Sequence, residues 1–289
     1  MSIDVSGRSD TGEILRAVID TDHDRVVSLR MDRGQAAMAR GDFIDAEIEL
    51  RAALDLAVQN DLHETARAAH ELLATLYRRL GRFEEALAEQ DALVRARADE
   101  LEMYQLEAFQ RLAVLAEFRD TDTGEHTVRV GDLSAEIACE LGEDDAWCEG
   151  VRMAARLHDI GKVAMPDAIL LKPGPLTPDE FEVMKTHTTI GARILSDSTS
   201  KLIQLGAVIA LNHHERWDGS GYPAGLRGTA IPRCGRVVTV ADVFDALISE
   251  RVYKHAWSRA DAIAYIVDGR GAQFEPEVVD AFLRILARR

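Results

Sequence analysis

An all-α protein made of two differently composed segments is the expectation for this chain of 289 residues. For the first 120 residues it rests on a helix-forming composition and a recurring turn motif; for the remainder it begins from apolar helix-like runs such as Val151 to Leu157 and Leu205 to Leu211. Residues 1–120 hold 15 Arg, no Lys, no Pro and 25 acids, a net charge of −10. Residues 121–289 hold all seven prolines, every lysine and six of the nine histidines, with 19 bases against 25 acids. The change near Asp120 marks a boundary, and the length favours two domains over one.

The first segment is rich in Ala, Leu, Glu and Arg, all strong helix formers, and spaces apolar residues helically in stretches such as Ile48-Glu49-Leu50-Arg51-Ala52-Ala53-Leu54. Gly41-Asp42-Phe43 followed by Ala46 returns forty residues later as Gly81-Arg82-Phe83 followed by Ala86. In such a unit Gly makes the turn between antiparallel helices, Phe packs into the neighbouring hairpin, and Ala allows close helix approach. The pattern resembles tetratricopeptide repeats, with a plain helical bundle as the alternative. Residues 1–100 are thus read as a helical sensor or interaction domain without a cluster of catalytic residue types, and 101–120 as a connecting helix. On that helix Leu101, Tyr104, Ala108, Leu112 and Leu115 form one apolar stripe, to be covered within the chain or by the same helix of a second chain in a homodimer. Cover within the chain is the preferred reading.

Composition excludes several classes. With 47% hydrophobic and 29% charged residues the chain can bury a core. A net charge of −16 has the wrong sign for tracking along a nucleic-acid polymer. No window approaches the roughly 20 apolar residues of a membrane span, and Met1-Ser2-Ile3-Asp4 opens no signal region, so a cytoplasmic protein is expected. Cys139, Cys148 and Cys234 form no CxxC pair, which suggests neither a disulfide framework nor a zinc knuckle. Any metal is then held by nitrogen and oxygen.

Ligand-type residues beyond Asp120 fall in short clusters: Asp122 with His126, His158-Asp159, His187, His213-His214 and Asp242. His158-Asp159 closes the apolar run Val151 to Leu157, and His213-His214 closes Leu205 to Leu211, where unpaired polar groups are costly. Asp122 and His126, four apart, share one helix face and can chelate one ion. Helical neighbours point about a quarter-turn apart, so His213 and His214 are expected to serve different ions or opposite edges of a cluster. Asp242 is an acid inside an apolar helix, and Asp245 shares its face, placed to orient a ligand or a phosphate-binding residue.

His158-Asp159-Ile160-Gly161-Lys162, His187-Thr188, His213-His214-Glu215 through Asp218-Gly219-Ser220-Gly221-Tyr222-Pro223, Ala241-Asp242-Val243-Phe244-Asp245 and Arg251-Val252-Tyr253-Lys254 together resemble the HD-GYP phosphodiesterases over roughly residues 115–289. The resemblance implies that 121–289 is an all-helical HD-GYP domain with a metal centre that hydrolyses cyclic di-GMP to pGpG or GMP. It implies His126, His158, Asp159, His187, His213, His214, Asp242 and Asp122 as metal ligands, with His158, Asp159 and Lys162 in the catalytic set. Lys162, Arg251, Lys254, Asp245 and Tyr222 are implied to line the substrate. Asp122 stands where members with three metals usually have Glu, which favours two ions over three.

The residue chemistry suits that reading. Phosphodiester cleavage needs a nucleophile at neutral pH and neutralisation of phosphoryl charge, which paired metals supply. Histidine and carboxylate without thiolate suit iron or manganese. Lys162 can stabilise transition-state oxygens as a point charge. The turn-rich loop from Asp218 to Pro223 is read as shaping a pocket, since neither Gly nor Pro transfers protons. The competing readings are a nearly inactive domain that binds nucleotide or protein, and a hydrolase of another cyclic dinucleotide. The first segment is then expected to recruit a protein partner such as a diguanylate cyclase.

Overall fold

Three turns set twenty residues apart shape the N-terminal unit. This computed structural model describes residues 23–119, 125–249 and 256–288, and the chain divides into units 1–103 and 104–289. Helices α1 (His23–Arg40), α2 (Phe43–Gln59), α3 (His63–Arg79) and α4 (Phe83–Phe118) follow one another through two- or three-residue connections. Each connection closes with the same backbone bond: Asp42 N to Ala37 O, Leu62 N to Ala57 O and Arg82 N to Tyr77 O, all at 2.9 Å. Gly41 and Gly81 take positive φ at the outer turns, and Asp61 takes φ 55° at the middle one. Aspartate tolerates this left-handed conformation better than most side chains, so the hairpins run on where the Gly motif is absent.

Ala46 and Ala86 are buried as the repeat predicts, in a cluster with Ala37, Met38, Leu50, Leu73, Leu76 and Tyr77. Phe43 packs against that cluster, but Phe83 is 71% exposed, which corrects the expectation that both phenylalanines fill neighbouring hairpins. The Tyr77 hydroxyl donates to Glu47 at 2.8 Å, and Arg82 donates to the same carboxylate while lying over the Tyr77 ring.

Among its described residues the second unit is built of helices and loops, with one isolated bridge between Arg270 and Phe274. After α4 come α5 (Glu125–Glu140), α6 (Asp145–Ala155), a short 3-10 helix (Ile160–Ala164), α7 (Asp167–Leu170), α8 (Pro178–Leu195) and α9 (Lys201–Asn212). A second 3-10 turn (Gly228–Ala230) leads to α10 (Arg233–Ile248), α11 (Arg259–Asp268) and α12 (Pro276–Leu286). Thr177 and Glu180 form a reciprocal capping box ahead of Pro178, which fixes the start of α8, and Ser200 caps α9 through Ile203 N. One apolar core joins α5, α6, α10, α11 and α12 around Ile137, Val151, Val237, Phe244, Phe274 and Phe282. Another joins Leu106 and Ala113 of α4 to Leu157, Ile160, Leu195, Ile203 and Ala210.

Two expectations change here. Leu101, Tyr104, Leu112 and Leu115 are 58%, 60%, 51% and 60% exposed, so the chain does not cover the stripe read from the sequence. Burial on this part of α4 falls on Leu106, Ala113, Ala116 and Glu117, a different helix face. Cys139 of α5 and Cys148 of α6 are joined as a disulfide with their Cα atoms 5.7 Å apart. Packing of α5 on α6 makes that pair, which no CxxC spacing announces. Among the described residues no helix is long and apolar enough to cross a membrane.

Candidate metal centre

Glycine lets the segments carrying the ligands approach one another. A Cβ on Gly161 would press into the His187 carbonyl oxygen and stand 2.6 Å from Gly191 N. One on Gly206 would stand 2.8 Å from Leu157 Cδ1. The 3-10 helix therefore lies directly on α8, and the end of α6 lies on α9. Asp159 comes within reach of His187, and His158 stands beside His213, their ring centroids 5.1 Å apart.

Four histidines are aimed by the nitrogen that faces away from the centre. His158 Nδ1 donates to Ala155 O at 2.9 Å, His187 Nδ1 to Met184 O at 2.8 Å, and His213 Nδ1 to Ala210 O at 3.0 Å. A carbonyl only accepts, so Nδ1 carries the proton and Nε2 presents toward the centre. His126 is aimed by a carboxylate instead: Asp245 Oδ2 lies 2.7 Å from its Nδ1. Asp245 is itself held by Arg129 at 2.7 and 2.9 Å and by Ser249. This puts Asp245 behind His126 as an orienting group.

The donors form two groups. Asp159, His187, His213 and His214 present ligand atoms within 4.8 Å of one another, and so do His126, His158 and Asp242. Asp159 stands between the groups: its Oδ1 is 3.3 Å from His187 Nε2 and 3.6 Å from His213 Nε2, while its Oδ2 is 3.3 Å from His158 Nε2. Asp242 Oδ1 lies 3.3 Å from His126 Nε2 and 3.7 Å from His158 Nε2. His213 and His214 fall in one donor group. Helix α9 ends at Asn212, so His213 caps it while His214 leaves the helical path and brings its ring to 4.1 Å from its neighbour's.

Burial alone would make this cluster unfavourable. His126 Nε2, His158 Nε2 and Asp159 Oδ1 are buried without a hydrogen bond, the expected condition of atoms shaped to receive cations. A donor set of imidazole and carboxylate fits divalent ions such as iron or manganese. The two carboxylates are held ionised. Burial opposes ionisation of Asp159 and Asp242, but Lys162 and His158 outweigh it for the first, and His126 and His158 for the second, so both stay below the usual carboxylate range. Burial also opposes charging His126, yet the carboxylates of Asp242 and Asp245 carry it up to about 10. His158 is likewise raised by Asp159 against its burial, whereas burial holds His213 and His214 down and neutral.

Lys162 Nζ lies 2.9 Å from Asp159 Oδ2, on the 3-10 helix. Tyr222 lies over His214 with ring centroids 4.8 Å apart and meets Phe181 edge-on. Its loop is pinned by the buried Glu215, which accepts from Ala224 N at 2.8 Å and Leu226 N at 3.0 Å. A Cβ on Gly221 would stand 2.6 Å from both Glu215 Cα and His214 O, so only glycine passes there. Asp122, Arg251 and Lys254 lie outside the described residues.

Three contributors escape the sequence reading. Glu215 stands within the quoted motif, but nothing in its spacing tells a buried clamp from a surface acid. Arg129, three residues after His126, shares its helix face, a signal available in principle. Glu117, on the last turn of α4, reaches the His126 side of the centre, and no short-range pattern ties it there.

Fold and site together define, among the described residues, an all-helical domain built around buried histidine and aspartate groups that could hold metal ions. The HD domain family matches residues 91–278, and the chain belongs to that family. It is 53% identical over 186 residues to a cyclic di-GMP phosphodiesterase of Thermotoga maritima, covering 64% of this chain and 50% of that protein. It is 50% identical over 189 residues to the cyclic di-GMP phosphodiesterase response regulator RpfG of Xanthomonas campestris, covering 65% and 50%. A 3'3'-cGAMP-specific phosphodiesterase of Vibrio cholerae is 41% identical over 177 residues, covering 61% and 34%. The chain spans about half the length of the first two of these relatives.

Proposed function

We propose that the second unit hydrolyses cyclic di-GMP to pGpG, GMP or both, using two divalent ions of iron or manganese. The observation that carries this is Asp159, whose two carboxylate oxygens face separate buried donor groups. Asp159, His187, His213 and His214 would hold one ion, and His126, His158 and Asp242 the other, with Asp159 facing both. Bound there, the ions supply water activation and neutralise charge on the phosphoryl oxygens.

The chain's own groups do the rest. The Nδ1 bonds of His126, His158, His187 and His213 keep each Nε2 inward without reorganisation. Lys162 is assigned to the scissile phosphate, its ammonium trading Asp159 for the phosphoryl oxygens. Tyr222, held over His214 by the Glu215-clamped loop, forms one wall of the substrate site and excludes water there. Arg251 and Lys254 are assigned to the remaining phosphate charge, which explains how an acidic chain takes an anionic substrate. Asp122 is assigned a weak role at the edge of a two-ion centre.

Manganese-loaded protein incubated with cyclic di-GMP and with 3'3'-cGAMP, the products resolved by chromatography, tests the reading. Linear pGpG or GMP formed faster than cGAMP products supports it. Faster turnover of cGAMP, the reading favoured by the Vibrio cholerae relative, replaces the substrate; binding without turnover replaces the enzyme with a nucleotide-binding module.

The first unit is read as the regulatory or recruiting arm, with a diguanylate cyclase as the partner type. The exposed face of α4 supports a homodimer: Leu101, Ala108 and Leu115 recur every seven residues, the period of a coiled-coil seam.

A further inference from the structure

Glu117 has no place in the chemistry above, yet it is among the most deeply buried charged groups of the second unit, at 2% exposure. Its Oε2 is buried and has no hydrogen bond, and its Oε1 lies 4.0 Å from His126 Nε2, itself a buried atom without a hydrogen bond. An isolated carboxylate in such a place would be driven to the neutral acid, and burial does raise its carboxyl, opposed by His126 and His158. Two donors each about 2.1 Å from one ion stand at most about 4.2 Å apart. The 4.0 Å between Glu117 and His126 therefore fits two ligands on opposite sides of a shared cation.

The backbone holds Glu117 in that position. Two residues on, Arg119 donates to the carbonyls of Lys162 and Met165 and to Asp167, pinning the end of α4 to the segment that carries Lys162. Further back, Gln110 donates to Met153 O at 3.0 Å, and Leu106 and Ala113 enter the core with Leu157 and Ile160. The last turn of α4 is thus clamped on both sides of Glu117, and its carboxylate is aimed inward by a rigid element.

We propose that Glu117 is a carboxylate ligand of the second metal position, entering on the His126 side; it stands outside the close group of His126, His158 and Asp242 and joins it when the ion binds. That position already has one carboxylate of its own, Asp242, beside the shared Asp159, and Glu117 would add a third. A direct consequence is that second-ion affinity depends on how α4 is seated, because a ligand on its last turn moves with it.

The inference rests on the two-ion reading, and the test separates the two. Full-length protein stripped by chelator is titrated with Mn(II) by calorimetry, and its electron paramagnetic resonance spectrum is recorded at saturation. Wild type is expected to bind two ions in a spin-coupled pair; binding of fewer overturns the two-ion reading itself. Glu117→Gln, which keeps the shape and removes the charge, is expected to weaken the second ion about 100-fold, to leave the first unchanged, and to give the spectrum of isolated Mn(II). His126→Ala serves as comparator and is expected to lose the same ion. Glu117→Gln that binds both ions with wild-type affinity, or that loses both together, overturns the role of Glu117. Glu117→Asp, one methylene shorter, is expected to fall between wild type and Gln; an Asp variant no better than Gln while Glu117→Ala binds like wild type overturns it too.

Discussion

Replacing Gly161 by Ala tests whether close backbone approach, more than the ligands alone, builds the centre. The added Cβ would meet the His187 carbonyl oxygen inside any allowed contact and stand 2.6 Å from Gly191 N and 2.8 Å from His187 C. Both neighbours are backbone in the middle of α8, so neither can turn away as a side chain would. Opening the 2.6 Å approach to an ordinary 3.4 Å contact needs at least about 0.8 Å of movement between the 3-10 helix and α8. Asp159 and Lys162 ride on one side of that gap and His187 on the other, with Asp159 Oδ1 and His187 Nε2 now 3.3 Å apart. Metal–ligand distances tolerate only about 0.2 Å, so the first ion should be lost or bound far more weakly. A misplacement near 1 Å costs about 10²-fold in rate, and overpacking costs roughly 1–3 kcal/mol of stability. The assay pairs metal content by mass spectrometry with turnover and thermal unfolding of the same preparation. A folded Gly161→Ala protein with full metal and unchanged turnover would refute the reasoning, since the backbone would then have absorbed the methyl without moving the ligands.

Three further outcomes are expected. Lys162→Ala should lower turnover about 10²- to 10³-fold while metal content stays within error, because the ammonium serves the phosphate; loss of metal in proportion to activity would show it belongs to the ligand framework. Manganese binding at the second position should release the proton of His126, whose carboxylate neighbours raise it to about 10, whereas burial already keeps His213 and His214 at the first position neutral. Second-ion affinity therefore rises with pH below about 10, by about tenfold per unit for the His126 proton displaced; calorimetry in buffers of different ionisation enthalpy reads this, and equal proton release at both positions would contradict it. Leu112→Glu with Leu115→Glu should convert a dimer into monomers in light scattering without lowering the unfolding temperature, since both side chains are exposed in the single chain; a wild type that is already monomeric at all concentrations removes the coiled-coil seam.

The helical character of the first unit was legible because the signals were local. Gly41 and Gly81 announce their turns through a residue type that left-handed backbone favours, and Ala46 and Ala86 announce the close approaches. The middle turn was not legible. Asp61 takes the same left-handed conformation, but aspartate is common on any helix surface, so the true spacing of twenty was read as forty. The stripe on α4 failed for another reason. Periodicity says that a face is apolar, and on a helix with more than one apolar face it does not say which one the rest of the chain covers. Leu106 and Ala113 meet Leu157 and Ile160, whose positions follow from packing between elements distant in sequence.

The site divides along the same line. Residues that ligate through adjacency, such as His158-Asp159 and His213-His214, leave a mark in the sequence, because polar pairs closing apolar runs need a partner. What those pairs do to one another is set by backbone geometry. Asp159 reads as a single ligand, and its division between two donor groups exists only because Gly161 lets the 3-10 helix lie on α8. His214 joins His213 in one group because α9 stops one residue earlier. Glu117 is the extreme case: nine residues before His126, on another helix, it has no motif at all, and the burial of its Oε2 without a hydrogen bond is what marks it. A buried acid with one oxygen unbonded and the other 4.0 Å from a histidine ligand gains from a cation between them, so the same desolvation cost that hides Glu117 from the sequence identifies it in the fold.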